Sequence, residues 1–426
     1  MAALPGSLRL GGMSVSSEVR AEVEARAQAA AQAAPALAAA SDEILDAVLQ
    51  TIAARLESEA APLLAANEAD MAAARGSLSD AMLDRLRLGA ERLAAMAGQV
   101  RALAHLPPAP RGNGVVARPD GAEVEERCIP VGVIGANYEA RANVTVDVAT
   151  QLVKSRNGGV LRTGGAAIRT ATAMIERVVA PALAAHGLPA EAIDVVRDPD
   201  RDAAYALVAL PALIPLVILR GSGPSTAALA QAAARNGVRT LAHADGGGVL
   251  FVERGADPGR ALALVEASLD RLGVCNRLNL LLVDEPLWEP FTPAAVERLT
   301  ALGVAASLPP HDHALGYEWA NDDARAATVT IAPAAGVAAA ARIANEQTSG
   351  LAAGIATEDA AAAEAFLDAY RGTGGFWNVP TRLLDGFKLL QAPETGINLD
   401  RVPGPRGPVT YRDLHLRQYV VRPRGG

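Results

Sequence analysis

Cysteine is nearly missing: the chain of 426 residues holds two, Cys128 and Cys275. Thiols so few and so far apart exclude a disulfide-built scaffold and fit a reducing compartment. Aromatic residues make up only 3%, so alanine must fill much of the interior that a 50% hydrophobic composition provides. Lysine is scarcer still. Lys154 and Lys388 stand alone in a basic set that is otherwise all arginine. That bias runs through every segment and reads as codon usage, with Lys154 a chance retention. The net charge of −8 lacks the positive excess that nucleic acid demands of a partner. No stretch is long enough for a membrane span, since the longest apolar run, Tyr205 to Leu219, is cut by Pro211 and Pro215. Met1 to Met13 has neither the basic start nor the apolar core of an export signal. The expectation is a cytoplasmic protein with no membrane partner.

What is present alternates in texture. From Ser16 to Leu106 apolar residues recur three and four apart, a helical pattern. Ser41-Asp-Glu and Ser79-Asp-Ala-Met open two of these helices with acid in the first turn. A proline- and glycine-rich break at 106–114 ends the block, and two alternating runs around Pro119-Asp-Gly121 predict a hairpin. After Pro130, short apolar strands (Val131 to Ile134, Gly159 to Arg162, Ile193 to Val196, Leu216 to Leu219, Val249 to Val252) alternate with helices. The predicted helices are Val144 to Lys154, Ala166 to His186 and Thr226 to Asn236. This order implies an α/β fold with a doubly wound parallel sheet, and a second such series runs from Pro258 to about Thr357. Thr410 to Val421 alternates again and reads as an edge strand, which with the distant hairpin invites pairing across subunits.

Four segments carry candidate chemistry. Cys275, in Gly273-Val-Cys-Asn276, precedes the apolar strand Leu278 to Val283; it is either a thiol delivered to a cleft or a small buried hydrophobe. Gly221-Ser222-Gly223-Pro-Ser-Thr226 joins a strand to a helix, and so suits either a bound phosphate or a plain tight turn. Arg162-Thr-Gly164-Gly165 ends another strand and adds a cation to the same logic. Two such turns together favour a nucleotide. In the loop Tyr138-Glu139-Ala-Arg141-Ala-Asn143-Val-Thr145, Asn143 can cap the next helix or present its amide to an oxyanion.

Taken in order, several segments carry a family resemblance. They are the hairpin, Ile129-Pro-Val-Gly-Val-Ile-Gly135, Tyr138 to Thr145, Lys154-Ser-Arg-Asn157, Val160-Leu-Arg-Thr-Gly-Gly165, Val274-Cys-Asn276, Thr381-Arg-Leu-Leu-Asp-Gly386, Glu394-Thr-Gly-Ile397 and the closing Tyr419-Val-Val421. The chain resembles the gamma-glutamyl phosphate reductase (glutamate-5-semialdehyde dehydrogenase) family of the aldehyde dehydrogenase superfamily. The likeness covers nearly its whole length. It implies an aldehyde-dehydrogenase-like architecture, two doubly wound parallel-sheet domains plus a small β oligomerisation flap. The expected boundaries are 1–114 and 130–243 for the cofactor-binding domain and 115–129 with 405–426 for the flap. The catalytic domain is expected at 244–360, and residues 361–404 are expected to return to the cofactor domain and the active-site rim. The implied reaction is NADPH-dependent reduction of L-glutamate 5-phosphate to the semialdehyde and phosphate, in proline synthesis. Cys275 becomes the nucleophile and Asn143 the oxyanion donor. Arg162, Gly164, Gly165, Gly221, Ser222, Gly223 and Asp322 become cofactor-binding residues, and Glu139, Arg141 and Arg382 substrate-binding ones. No metal is implied. A homo-oligomer is expected, with a glutamate kinase as a possible partner.

The chain also departs from the family's pattern. Ala142 stands for the usual proline, Arg156 for glycine and Pro215 for a carboxylate. Asp322 is one methylene shorter than the family's glutamate. The Gly-His-Thr-Asp-Ala stretch appears as Gly350-Leu-Ala-Ala-Gly354, without its histidine and aspartate, and His243-Ala-Asp-Gly-Gly-Gly-Val249 lacks the downstream histidine. Two alternatives therefore stand beside the main expectation: a divergent paralogue acting on another acyl phosphate or aldehyde, and a catalytically silent metabolite-binding scaffold.

Overall fold

Strands such as Val133–Tyr138 and Leu278–Asp284 are buried along their whole length, as strands covered by helices on both faces must be. The computed structural model describes residues 7–10, 13–78, 80–139, 141, 143–221, 223–243, 246–322, 324–399, 404 and 406–423. The chain forms two compact units. The first comprises Met1–Ala242, Ala392–Gly396 and Val409–Gly426, and the second His243–Gln391 and Ile397–Pro408.

In the first unit, β1 (Ser7–Leu10) and β2 (Met13–Ser16) form a small antiparallel pair. Helices Ser17–Ala39, Asp42–Ser58, Ala60–Ala74, Asp80–Leu86 and Ala90–His105 follow. The Ser41 hydroxyl accepts from the Ile44 N–H and caps the second of them, as its sequence predicts. The strands β3 (Gly112–Ala117) and β4 (Ala122–Pro130) are the expected hairpin. The main sheet has β5 (Val133–Tyr138), β6 (Gly158–Thr163), β7 (Ile193–Val195), β8 (Leu216–Arg220) and β9 (Arg239–His243) in the order β7-β6-β5-β8-β9. Pairings β5 to β6, β6 to β7 and β5 to β8 are parallel. Alternation divides the side chains cleanly. Ile134, Ala136, Leu161 and Ile218 pack with helices Asp42–Ser58, Ala90–His105 and Val144–Lys154 on one face. Val133, Val160, Val217 and Leu219 pack with Ser17–Ala39 and Gly223–Arg235 on the other.

The second unit repeats the plan. Its sheet comprises β10 (Gly248–Val252), β11 (Leu278–Asp284), β12 (Ala305–Ser307), β13 (Thr328–Ala334), β14 (Ala352–Ala356) and β15 (Gly374–Trp377), all parallel, in the order β12-β13-β11-β10-β14-β15. Leu250, Leu281 and Val283 face helices Pro258–Ala267 and Trp288–Ala301. Phe251, Leu280 and Leu282 face Gly336–Glu346 and Ala360–Ala369. Short strands β16 (Gly396–Asn398) and β17 (Gly407–Val409) lead to β18 (His415–Pro423), which adds antiparallel to β4. The resulting order β18-β4-β3 is the flap sheet. It leaves Val115, Val116, Leu416, Tyr419 and Val421 exposed.

Four expectations need correction. Ala166 to His186 is not one helix: it runs as a 3-10 turn, an α segment Ile168–Met174, a π segment Ile175–Val179 and a last α segment Ala180–Ala185. Pro181 has no N–H to continue the ladder, and the backbone widens just ahead of it. The helix after β8 starts at Gly223, three residues ahead of the expected Thr226. The last strand begins at His415, since Thr410 and Asp413 close a capping box around a 3-10 turn first. Residues 361–391 do not return to the first unit, because Ala360–Ala369 and β15 complete the second sheet.

Lys154 is no chance retention. Its ammonium, 2% exposed, donates to Asp46 Oδ1 (2.5 Å) and to the Leu106 (2.9 Å) and Ala104 (3.3 Å) carbonyls. It ties three helices of the first unit together. No helix among the described residues is long and apolar enough to cross a membrane.

Candidate active site

In the first unit the strand order reverses between β5 and β8, the place where a doubly wound sheet opens a crevice at its strand carboxyl ends. Three expected site residues, Glu139, Gly221 and Gly223, lie there. The Glu139 N–H donates to the Arg220 carbonyl (3.1 Å), and the Glu139 side chain lies over Gly221. A Cβ added at Gly221 would come to 3.3 Å from Thr226 Oγ1 and 3.5 Å from Glu139 Oε1. A side chain here would sit tightly against Thr226 and Glu139. Gly223 is the first residue of the helix Gly223–Arg235, so amides at a helix start meet the same crevice. Ser222 lies outside the described residues. The residues present at this turn fit a nicotinamide dinucleotide.

Next to it, Gly164 donates its N–H to the Tyr138 carbonyl (3.0 Å), and a Cβ at Gly165 would approach Pro199 Cβ to 3.2 Å. Arg162 is turned inward. Its guanidinium donates to Asn137 Oδ1 (3.3 Å) and to the Pro199 (3.3 Å) and Asp200 (3.0 Å) carbonyls. Burial pushes its pKa down from the usual arginine range. The nitrogens expected to meet the cofactor hold the 199–200 loop in this structure.

Asn143 stands at the cap position of the helix Val144–Lys154 by its backbone, yet its side chain caps nothing. The exposed amide instead donates to Asp147 Oδ2 at 2.6 Å. Asp147 keeps some contact with solvent but is enclosed by protein. Burial pushes its carboxyl up to about 6, against the opposing Arg220 charge and the Asn143 hydrogen bond. Arg141 is half-buried in the loop before it.

Cys275 is in the second unit, half-buried in the turn that leads into β11. Its carbonyl accepts from the Gly247 N–H (2.7 Å). A Cβ at Gly246 would fall 2.7 Å from that carbonyl oxygen and 2.8 Å from Cys275 Cα, and would also collide with the Glu318 carboxylate. The turn is clamped from the other side as well. Asn276 Nδ2 donates to the Leu384 carbonyl (2.8 Å), and Thr381 Oγ1 donates to the Asn276 carbonyl (2.9 Å). The Cys275 side chain packs against the apolar cluster of Leu351, Phe376, Leu384 and Ile397.

Arg382 belongs to this clamp. It is 8% exposed, donates to Asn276 Oδ1 and pairs with Asp270 (2.5 Å). It steadies the residue after the thiol, with its Nε and Nη1 engaged inside the protein. Asp322 is likewise committed. It accepts from the Tyr317 hydroxyl (3.0 Å) and Arg325 Nε (3.1 Å), bonds that hold its carboxyl below the usual range. Reading the sequence named neither Asp147 nor Glu318 among the candidate residues. The i to i+4 spacing of Asn143 and Asp147 was the one signal available for the first.

The aldehyde dehydrogenase family model matches residues 12–316. A gamma-glutamyl phosphate reductase of Caulobacter sp. (strain K31) is 35% identical over 392 residues, spanning 89% of this chain and 92% of the relative. The chain belongs to the aldehyde dehydrogenase family, in its gamma-glutamyl phosphate reductase branch. A gamma-glutamyl phosphate reductase of Novosphingobium aromaticivorans is 36% identical, over 90% of this chain and 91% of its own. The crystal structure of a gamma-glutamyl phosphate reductase from Thermotoga maritima superposes with a TM-score of 0.86 at 26% identity, covering 94% of this chain and 98% of that one. An acetylating aldehyde dehydrogenase from Geobacillus thermoglucosidasius shares the fold, with a TM-score of 0.68 at 16% identity. Members of this family use nicotinamide cofactors.

Proposed function

We propose that the chain reduces L-glutamate 5-phosphate to L-glutamate 5-semialdehyde and phosphate, with NADPH, through a thioester on Cys275. The observation that carries the reading is the Cys275 turn. A half-buried thiol is fixed from both sides by Gly247 and by the Asn276, Thr381 and Arg382 clamp, as an attacking atom needs to be. The names of the relatives supply the substrate.

The Cys275 sulfur attacks the acyl carbon as thiolate. The C–S bond forms, the tetrahedral oxyanion accepts a hydrogen bond from the Asn143 amide N–H, and the C–O bond to phosphate breaks. Phosphate leaves with the electron pair, and the acyl group stays on sulfur. A reduced nicotinamide, when bound, supplies hydride for reduction of that acyl carbon. Asn143 holds the second oxyanion as it held the first; the C–S bond then breaks, and the thiolate regains its proton from solvent. The turn at Gly221 and Gly223 would hold the pyrophosphate. No water has to attack the acyl group in this direction, so a strong hydrolytic base is unnecessary. The exposed flap strands support a homo-oligomer, and a glutamate kinase beside it would pass on a labile acyl phosphate directly.

Phosphate-dependent reduction of NADP by glutamate 5-semialdehyde, wild type beside Cys275→Ser, is the test. Turnover lost in the variant is the expected outcome. A second reading, another acyl phosphate or aldehyde as substrate, draws on Leu351. This buried residue puts an apolar wall against Cys275 where the family pattern carries histidine. Turnover of other aldehydes alone would favour it. NADP binding without any turnover would leave a scaffold.

A further inference from the structure

Asn143 and Asp147 lie one helical turn apart, so their side chains meet on one face of the helix start. The contact is the 2.6 Å hydrogen bond from Asn143 Nδ2 to Asp147 Oδ2. An amide has two ends of nearly equal shape, and only the nitrogen end donates. An ionised carboxylate only accepts. It therefore draws the nitrogen toward itself and leaves the second N–H of that nitrogen directed elsewhere. We propose that Asp147 is a positioning residue, which holds the Asn143 amide in the orientation that lets it donate to the acyl oxygen. The proposal rests on the oxyanion reading of Asn143 given above.

The surroundings of Asp147 support the assignment independently. A carboxylate that serves only the helix gains from solvation or from a backbone N–H, and Asp147 is instead enclosed and raised to about 6 by burial. Arg220, at the end of β8, faces it with opposite charge. The phenol of Tyr138, from β5, faces it too; burial raises that phenol first, and the Asp147 charge adds to the rise. Arg220 itself lies against Gly396, where an added Cβ would come within 3.3 Å of Arg220 Cδ. Asn143 thus touches Asp147, and the charge that opposes Asp147 is that of Arg220, which packs against Gly396. When Asp147 takes up a proton it can donate to the amide oxygen, and the amide can turn over. Turnover then falls as pH drops through about 6.

The experiment compares wild type, Asp147→Asn, Asn143→Ala and the double variant in the phosphate-dependent semialdehyde assay, from about pH 5 to about pH 8.5. Asp147→Asn should lower kcat roughly 10-fold or more with KM within about 3-fold, and should remove the acid limb of the profile. In the Asn143→Ala background the same substitution should change kcat by less than about 3-fold, because its route of action is already gone. Thermal melting at about pH 8 controls for folding: the variant should melt no lower than wild type, since the folded chain disfavours the Asp147 charge. An equal loss of kcat in both backgrounds, or an unchanged rate and acid limb in Asp147→Asn, overturns the proposal. Full turnover by Asn143→Ala removes the oxyanion reading itself, a result that the Asp147 variant alone does not mimic.

Discussion

The two parallel sheets are built alike and carry their candidate site residues at opposite ends. In the first, the candidate residues gather where the strands finish: Glu139, Gly164, Arg220 and Gly221 all lie at carboxyl ends. In the second, the chemistry gathers where the strands begin, with Gly246 and Gly247 just before β10 and Cys275 just before β11. The first arrangement leaves backbone amides and a glycine floor open at the strand-order reversal, which suits a ligand with phosphates. The second fixes the backbone on both sides of its half-buried thiol. Its neighbours are pinned by hydrogen bonds to carbonyls and by two glycines that admit no side chain. One end is shaped to receive a ligand and the other to hold an atom still.

That contrast breaks most sharply at sulfur. Replacing Cys275 by serine should lower turnover by about a thousandfold or more, because an alkoxide is not available at neutral pH as a thiolate is. Cofactor binding, read by fluorescence titration, should be unchanged. Gly246→Ala sharpens it further. The new Cβ must push Cys275 away from its position, so kcat should fall roughly 100-fold while the sulfur remains titratable by a thiol reagent.

Away from both ends, Lys154→Met should cost about 2 kcal/mol in denaturant unfolding by leaving the Ala104 and Leu106 carbonyls without their donor. The Michaelis constants of the folded enzyme should not move. A changed constant would mean that the Lys154 clamp reaches the crevice. The smallest effect is expected from Asp147→Asn on stability. The folded carboxyl sits at about 6, above its ordinary value, so near pH 5 the folded chain keeps a proton that the unfolded chain has lost. Stability therefore falls as pH rises through that window and stays lower above it. Removing the charge should raise stability at about pH 8 by on the order of 1 kcal/mol and leave it unchanged at about pH 4, by thermal melting.

Much of the fold was legible because alternation and helical spacing carry it locally. Ile134 and Val133 could be placed on opposite faces of one strand from their order alone, and Ser41 capped its helix as its sequence foretold. The candidate site was legible in part. Glycine between a strand and a helix marked Gly221 as a close approach, and Cys275 before an apolar strand marked the turn. What could not be read were the partners of charged residues. Arg162, Arg382 and Asp322 look like ligand residues in a linear sequence. Each meets groups tens to more than a hundred residues away or folded back in its own loop: Asp200, Asp270 and Tyr317 respectively. A guanidinium matches a backbone carbonyl or a carboxylate of the protein as well as one from a ligand. Asn143 posed the same difficulty on a shorter scale. Both of its expected roles concerned backbone or substrate, and its amide found Asp147.

The sequence by itself determined the two parallel sheets, the flap and the family, since each rests on periodicity or on ordered motifs that any fold of this chain must respect. Only the tertiary structure decided which polar groups are occupied. Hydrogen-bond partners are chosen by proximity in space, and burial, which sets the charge of Asp147 and the pairing of Lys154, exists only once distant segments have packed.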